Sequence, residues 1–276
     1  IKVASVAVDR PAIRLYRTEA GDIGFGIGET GAGAPPRIFS FGREALTGGS
    51  SDVLAGLQRV DVTNAQLALH HYARRDVLIS PHSDIRLVRR DEGIMLELST
   101  DLTQAEGKAQ LDVRAVLDFA SGHIGLDGAF EQVYPTLLAQ FLPENPWAEQ
   151  VKLPFSGKVQ AVFSGAGEVI GAAFDIKSGD GVLELPEFFP EPIAVKELAL
   201  KGDVKENLSL ITLREGALVM DEQQRLVFNG GLENTPQGPH LRFTGHTNGL
   251  PVSNLYRYWP LPKAPDTRHW VTTNIQ

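Results

Sequence analysis

Leu111-Asp112-Val113-Arg114-Ala115-Val116-Leu117-Asp118-Phe119 places an apolar residue at every odd position and a charged one at all but one of the even positions. Successive side chains of a strand point to opposite faces, so this stretch specifies one apolar and one wet face. Taken from Lys108, the run spans roughly 40 Å at the usual rise per residue, about twice a common strand. Ser121-Gly122 supplies a hairpin turn, and His123–Phe130 resumes the alternation. Similar runs lie at Lys158–Phe163, Val182–Leu185, Val195–Leu200, Leu208–Leu213, Arg225–Phe228 and Leu241–Phe243, with Gly, Asp or Asn in most gaps. Strands at this spacing predict an antiparallel meander in a mainly β chain. The apolar face is open to two uses. It is either the core of a β-sandwich, the commoner case, or the lining of a curved sheet that forms a groove.

An internal echo runs through the first third of the chain. Val6, Val8, Ile13 and Leu15 match Val60, Val62, Leu67 and Leu69, each pair 54 residues apart, with Asp9-Arg10-Pro11 standing against Thr63-Asn64-Ala65 as a polar turn. Such a period predicts an architecture extended by similar units. Helices are expected over Val133–Leu142 and Pro251–Trp259, with a third near Pro265-Asp266; Ser40–Leu57 reads as a loop or a short amphipathic helix. Pro186–Pro192 reads as a rigid connector with Phe188 and Phe189 exposed. The expected division is 1–130, an N-terminal β segment with the repeat, and 131–276, a helix-interrupted continuation, or one continuous domain.

Composition narrows the function. The 276 residues are 42% hydrophobic and 22% charged, with a formal net charge of −8, globular composition with no basic stripe to meet a phosphate backbone. No nucleic-acid partner is expected. Cysteine is absent, which removes disulfides and thiolate metal sites. No run reaches the roughly 18 to 20 apolar residues of a membrane-spanning helix. The chain opens at Ile1 without Met, and the expectation is an excised segment whose anchor lies elsewhere.

Chemistry-bearing motifs are weak. Gly26-Ile27-Gly28-Glu29-Thr30-Gly31 matches the dinucleotide fingerprint in letters, but Ala32-Gly33-Ala34-Pro35-Pro36 follows where a helix must open. His70 and His71 are adjacent and point to opposite faces of a strand; His82, His123, His240, His246 and His269 show no ligand spacing, so no metal is expected. Phe163-Ser164-Gly165-Ala166-Gly167 lacks the first glycine of a nucleophile elbow. Asp112 and Asp118 sit on the wet face as solvated charges. The chain reads as no enzyme and as carrying no cofactor. A carbohydrate-active enzyme would need a cleft lined by aromatics, and only Trp147, Trp259 and Trp270 are present, two of them close to the C-terminus.

The last stretch carries a resemblance. Leu250-Pro251-Val252-Ser253-Asn254-Leu255-Tyr256-Arg257-Tyr258-Trp259-Pro260-Leu261-Pro262, then Ala264-Pro265 and Arg268-His269-Trp270-Val271-Thr272-Thr273-Asn274, resembles a helix ending in Tyr-Trp-Pro and its sequel in the AsmA-like family of bridge-like lipid transfer proteins, the YhdP and TamB relatives of the bacterial envelope. The middle is also similar: a strand pair like Leu57–Leu69, an Arg/Asp-rich hairpin, a helix like Tyr134–Leu142, Leu153-Pro154-Phe155-Ser156-Gly157, and a run like Val169–Leu185. The similarity covers most of the chain, with Gly28–Leu54 matching least.

The resemblance implies a long curved antiparallel sheet, groove-like or β-taco-like, with two or three short helices. It implies a periplasmic segment of a protein anchored in the inner membrane by a part outside this chain. Phospholipids would be conducted along the apolar groove between inner and outer membranes. The implied partners are phospholipid acyl chains and an envelope protein, with membrane contact made outside this segment; the alternative is a structural or assembly scaffold for outer-membrane proteins, without lipid transport. The family offers no catalytic residues. The alternation selects the lining: Val6, Val8, Ile13, Leu15, Val60, Val62, Leu67, Leu69, Leu111, Val113, Leu117, Phe119, Ile124, Leu126, Val159, Ala161 and Phe163, some of which are expected to pack under the helices.

Overall fold

The computed structural model describes residues 4–17, 23–27, 39–40, 58–71, 77–139, 147–187, 189, 191–205, 207–235 and 238–249. The chain is mainly β, with two short helices among the described residues, as the alternation requires. It divides into two compact units: Ile1–Phe130 with Gln160–Glu168, and Glu131–Val159 with Val169–Gln276.

The first unit holds β1 (Ser5–Asp9), β2 (Ala12–Arg17), β3 (Ile23–Ile27), β4 (Phe39–Ser40), β5 (Arg59–His71), β6 (Val77–Arg89), β7 (Gly93–Gln104), β8 (Gly107–Asp118) and most of β9 (Ile124–Val133). Its order is β4-β3-β2-β5-β6-β7-β8-β9, with β1 also on β5. From β5 to β8 every pairing is antiparallel, and tight turns follow from the sequence. Arg90 and Gly93 exchange backbone bonds around Asp91-Glu92, and Asp118 accepts from the Ser121 N–H and hydroxyl at the Ser121-Gly122 turn.

The wholly antiparallel meander does not hold at the N-terminal end. β1 and β2 both run parallel to β5. The echo explains why: Val6 pairs with Val60, Val8 with Val62, Ile13 with Leu67 and Leu15 with Leu69, so the copies lie side by side in register. The polar tripeptides are not chain reversals. Asp9-Arg10-Pro11 interrupts β1 and β2 without turning the chain, and Thr63-Asn64-Ala65 is an irregularity inside the continuous β5. Arg10 N–H donates to Thr63 O (2.8 Å) and Gln66 N–H to Pro11 O (2.9 Å), which carries the ladder across the break.

The second unit holds α1 (Pro135–Ala139), α2 (Trp147–Gln150), β10 (Val151–Lys152), the start of β11 (Phe155–Phe163), β12 (Val169–Ser178), β13 (Gly181–Leu183), β14 (Ile193–Val195), β15 (Glu197–Lys205), β16 (Leu210–Val219), β17 (Arg225–Thr235) and β18 (Gly238–Asn248). One sheet runs β11-β12-β15-β16-β17-β18, and a second is β10-β13-β14. The core lies between them: Leu153, Ile193, Val195 and Met220 are buried, with Val151, Phe155, Leu183, Phe189, Leu198 and Leu218 packed around. Phe189, expected to be exposed, is half-buried against this core; Phe188 lies outside the described residues. The helix expected over Val133–Leu142 is described only as α1, because Val133 completes β9 and Pro135, which has no N–H to give, opens the first turn. α2 follows Pro146 and was missed by periodicity; its Ala148 is buried. The helices expected at Pro251–Trp259 and Pro265-Asp266 lie outside the described residues, as does 41–57, while Ser40 belongs to β4.

Candidate functional site

Cross-strand register aligns the apolar positions of the first unit into rows running across the strands. Val8, Val62, Ile85, Leu98 and Val113 form one row, and Val6, Val60, Leu87, Leu96 and Ala115 the next. Toward the β6–β7 turn comes Arg89-Ile94-Leu117; on the other side come Ala65, Ser83, Thr100 and Leu111. Ile13, Leu67 and Ile27, with Leu15, Leu69 and Phe25, extend the apolar positions through β2 and β3.

Burial varies along this face. Leu111, Val113, Ala115, Leu117 and Phe119 are all half-buried, as are Val6, Val60, Leu67, Ile85, Leu87 and Leu98. Val8 and Leu96 are 37% and 36% exposed. A second layer packed over the face would bury these side chains as a sandwich core does. Burial is confined to part of it: Val62 and Ala65 on β5, Ile94 toward the β6–β7 turn, Leu102 and Ala109 at the opposite end. Among them Ser80, Ser83 and Thr100 close a buried hydroxyl triangle with oxygen separations of 2.6 to 2.7 Å, which satisfies three polar groups on an apolar face.

The opposite face of the same strands carries an ionic row beside an apolar one, Val88-Met95-Val116, of which Val116 is 38% exposed. Asp61, Arg86, Glu97 and Arg114 stand directly opposite one another across β5 to β8, alternating in sign. Arg86 reaches Asp61 at 3.2 Å and Glu97 at 3.5 Å, and Arg59 also pairs with Asp61. The Arg59 hydrogen bond, with help from Arg86, holds the Asp61 carboxyl below its ordinary range. Asp9 is lowered chiefly by the Asn64 amide and then by Arg10; Asp118 is lowered by the Ser121 N–H and hydroxyl. These carboxylates are solvated and serve the turns and ladders.

In β9 and β11, Gln160 Nε2 donates to Asp127 Oδ1 at 2.8 Å, so those two share a face, and alternation places Ile124, Leu126, Ala161 and Phe163 on the other. Ala161 is buried and the other three are half-buried. Val159, in the second unit, is half-buried. Leu15 and Leu69 are placed by register alone.

The second unit repeats the theme with different residues. Ala172, Val204, Ile211, Leu232 and Leu241 make one row; Phe174, Gly202, Leu213, Gly230 and Phe243 the next; Ile176, Leu200, Gly216, Phe228 and Gly245 a third. The glycines let rings lie against the neighbouring backbone: a Cβ on Gly202 would stand 2.6 Å from the Phe174 ring, on Gly216 2.5 Å from Phe228, and on Gly230 2.5 Å from Phe243. Phe228 and Phe243 meet edge to face at 6.3 Å. On β18, Leu241 and Phe243 are 52% and 53% exposed. A fourth row, Leu198-Leu218-Leu226, is where the three-stranded sheet covers the face.

The predicted lining omits Ile85, Leu87, Leu96 and Leu98, and in the second unit it names only Val159, although the alternating runs there were legible. Ile94, Leu96, Leu98 and Leu102 were available as a period of two, hidden by Met95 on the other face and by Thr100 in place of an apolar residue. The first glycine of the fingerprint-like run, Gly26, lies in β3 opposite Arg14, and residues 28–31 lie outside the described residues. Among the described residues no three His, Asp or Glu gather to hold a metal, and no helix is long and apolar enough to cross a membrane. No family model matches the sequence, and no curated protein or solved structure matches it significantly.

Proposed function

We propose that the chain is a segment of a bacterial envelope protein that conducts phospholipids, holding their acyl chains along the apolar face of its sheet. The observation that carries this reading is the row of partly exposed apolar side chains at alternate positions, Leu111, Val113, Ala115 and Leu117 of β8 and Phe119 just after it, together with Val8 and Leu96, which are 37% and 36% exposed. Each methylene moved out of water contributes about 0.8 kcal/mol, so an acyl chain gains affinity by length of contact without a headgroup pocket. Rows of Val, Leu, Ile and Ala offer nearly equivalent steps from strand to strand, which suits movement better than one deep site. The ionic row of the opposite face keeps the segment in water. Periplasmic placement and an anchor outside this segment belong to the same proposal.

The test is mass spectrometry of lipid extracted from the purified chain. Phospholipid near or above one molecule per chain is expected. A lipid-free protein that also fails to take up phospholipid from vesicles would overturn the reading. The exposed Leu241 and Phe243 on β18 favour a second reading, a scaffold that engages an envelope protein. That reading expects a protein crosslink at β18 and no bound lipid.

A further inference from the structure

On the face of β6, β7 and β8 that carries Leu87, Leu96 and Val113, one strand position alone is charged. It is Arg89, the last residue of β6, opposite Ile94 and in the same row as Leu117. Its guanidinium lies over the Phe119 ring, 5.8 Å from the centroid, which confirms that the side chain is on the apolar side. Arg89 is half-buried, and among the described residues no carboxylate stands within ion-pair distance of it. The other arginines of β5 to β8 and of the β6–β7 turn are placed differently. Arg59 and Arg86 are ion-paired on the ionic face, Arg114 is exposed there, and Arg90 is exposed at the turn.

A partly desolvated cation without a counter-charge is costly to keep, and the cost is recovered where an anion docks. Guanidinium matches the geometry of phosphate oxygens through paired N–H donors, and an aromatic ring beneath it holds the fork in place without consuming those donors. The position also fits. Arg89 stands where the apolar rows end at the β6–β7 turn, so a phosphate there leaves the acyl chains free to lie over Leu117, Leu96 and Val113. The nearby described acids make no ion pair with it: Asp91 and Glu92 are exposed in the turn, and Asp118 accepts from Ser121.

We infer that Arg89 is the contact for the phosphate of a phospholipid headgroup, at the rim of the apolar face. The inference rests on the lipid reading above and adds to it a headgroup preference.

The experiment offers the full chain detergent micelles containing equal amounts of phosphatidylglycerol and diacylglycerol with the same acyl chains, then quantifies the bound lipids by mass spectrometry. The wild-type chain is expected to favour phosphatidylglycerol by roughly tenfold, the scale of one charge-assisted contact. Arg89→Gln is expected to bring the ratio close to one while total bound lipid stays unchanged; Arg89→Lys keeps part of the preference; Arg90→Gln keeps all of it. Inorganic phosphate at millimolar concentration is expected to leave both ratio and total untouched. An Arg89→Gln chain that retains the preference, an Arg90→Gln chain that loses it, or displacement by inorganic phosphate overturns the Arg89 assignment and leaves the lipid reading standing. A wild-type chain that binds neither lipid overturns both. Arg89→Lys, with the charge retained, separates a headgroup effect from misfolding, which would lower total lipid in every variant.

Discussion

Arg10 and Asn64 stand 54 residues apart in sequence, at equivalent points of two parallel strands, and both have left-handed backbones, with φ of 53° and 54°. The two copies of the echo therefore share their break as well as their apolar positions. Asp9 ties the breaks together, accepting from the Thr63 hydroxyl at 3.2 Å and the Asn64 amide at 3.4 Å.

Asparagine adopts this conformation readily and arginine does not, at a cost of about 1 kcal/mol. Arg10→Asn is therefore expected to raise stability by about 0.5 to 1 kcal/mol, its exposed pairing with Asp9 being a small loss. Asn64→Ala is expected to cost about 1 to 2 kcal/mol, and Asn64→Gly much less. Urea midpoints of the three variants check this; equal effects of Ala and Gly at position 64 would contradict it.

Gly216 and Phe228 are opposite each other in β16 and β17, and the ring occupies the space a Cβ would take. Gly216→Ala is expected to destabilise by about 1 to 3 kcal/mol through overpacking. Adding Phe228→Leu should return part of that loss, with a coupling of about 1 kcal/mol in a double-mutant cycle read by urea denaturation.

Val113 and Leu153 separate the two kinds of apolar residue here. Val113→Asp puts a charge on a half-buried position of the apolar face, and the expected result is a folded chain with several-fold less co-purified phospholipid. Leu153, 0% exposed in the core of the second unit, is expected to cost about 2 to 5 kcal/mol on conversion to Ala. Circular dichroism melts and lipid mass spectrometry on the same preparations distinguish these outcomes.

The carboxyls of Asp9, Asp61 and Asp118 are all held below the ordinary aspartate value of 3.8 in the folded chain. A depressed carboxyl binds its proton more weakly in the folded chain, so its contribution is complete above 3.8 and is lost as pH falls through the lower folded values. The urea midpoint is expected to hold steady from neutral pH to about 5 and then fall on acidification below about 4. Asp118→Asn should make that fall shallower at any salt concentration, whereas the Asp61 share, which depends on Arg59 and Arg86, should shrink as salt rises. A midpoint that climbs below pH 4 would refute this assignment.

Several elements could be read directly from the residues. The strand from Gly107 to Asp118 is written in its alternation, and the echo between Val6–Leu15 and Val60–Leu69 became a register because identical patterns of apolar and polar residues pair best with zero slip. Arg10 carries no such signal, since nothing in its chemistry announces a left-handed backbone; only its alignment with Asn64 hints at it.

Alternation by itself determined that this chain builds long strands with one apolar and one wet face, because side-chain direction in a strand is local geometry. Parallel pairing at β5, the row that joins Leu96 to Ala115, the ring of Phe228 over Gly216 and the guanidinium of Arg89 over Phe119 were decided only in three dimensions. Each is a relation between strands, and period two says which way a side chain points but not what stands beside it. How far an apolar face is covered is likewise a property of the neighbours it meets: Val113 and Leu117 are half-buried, while Ile94 in the next strand is buried.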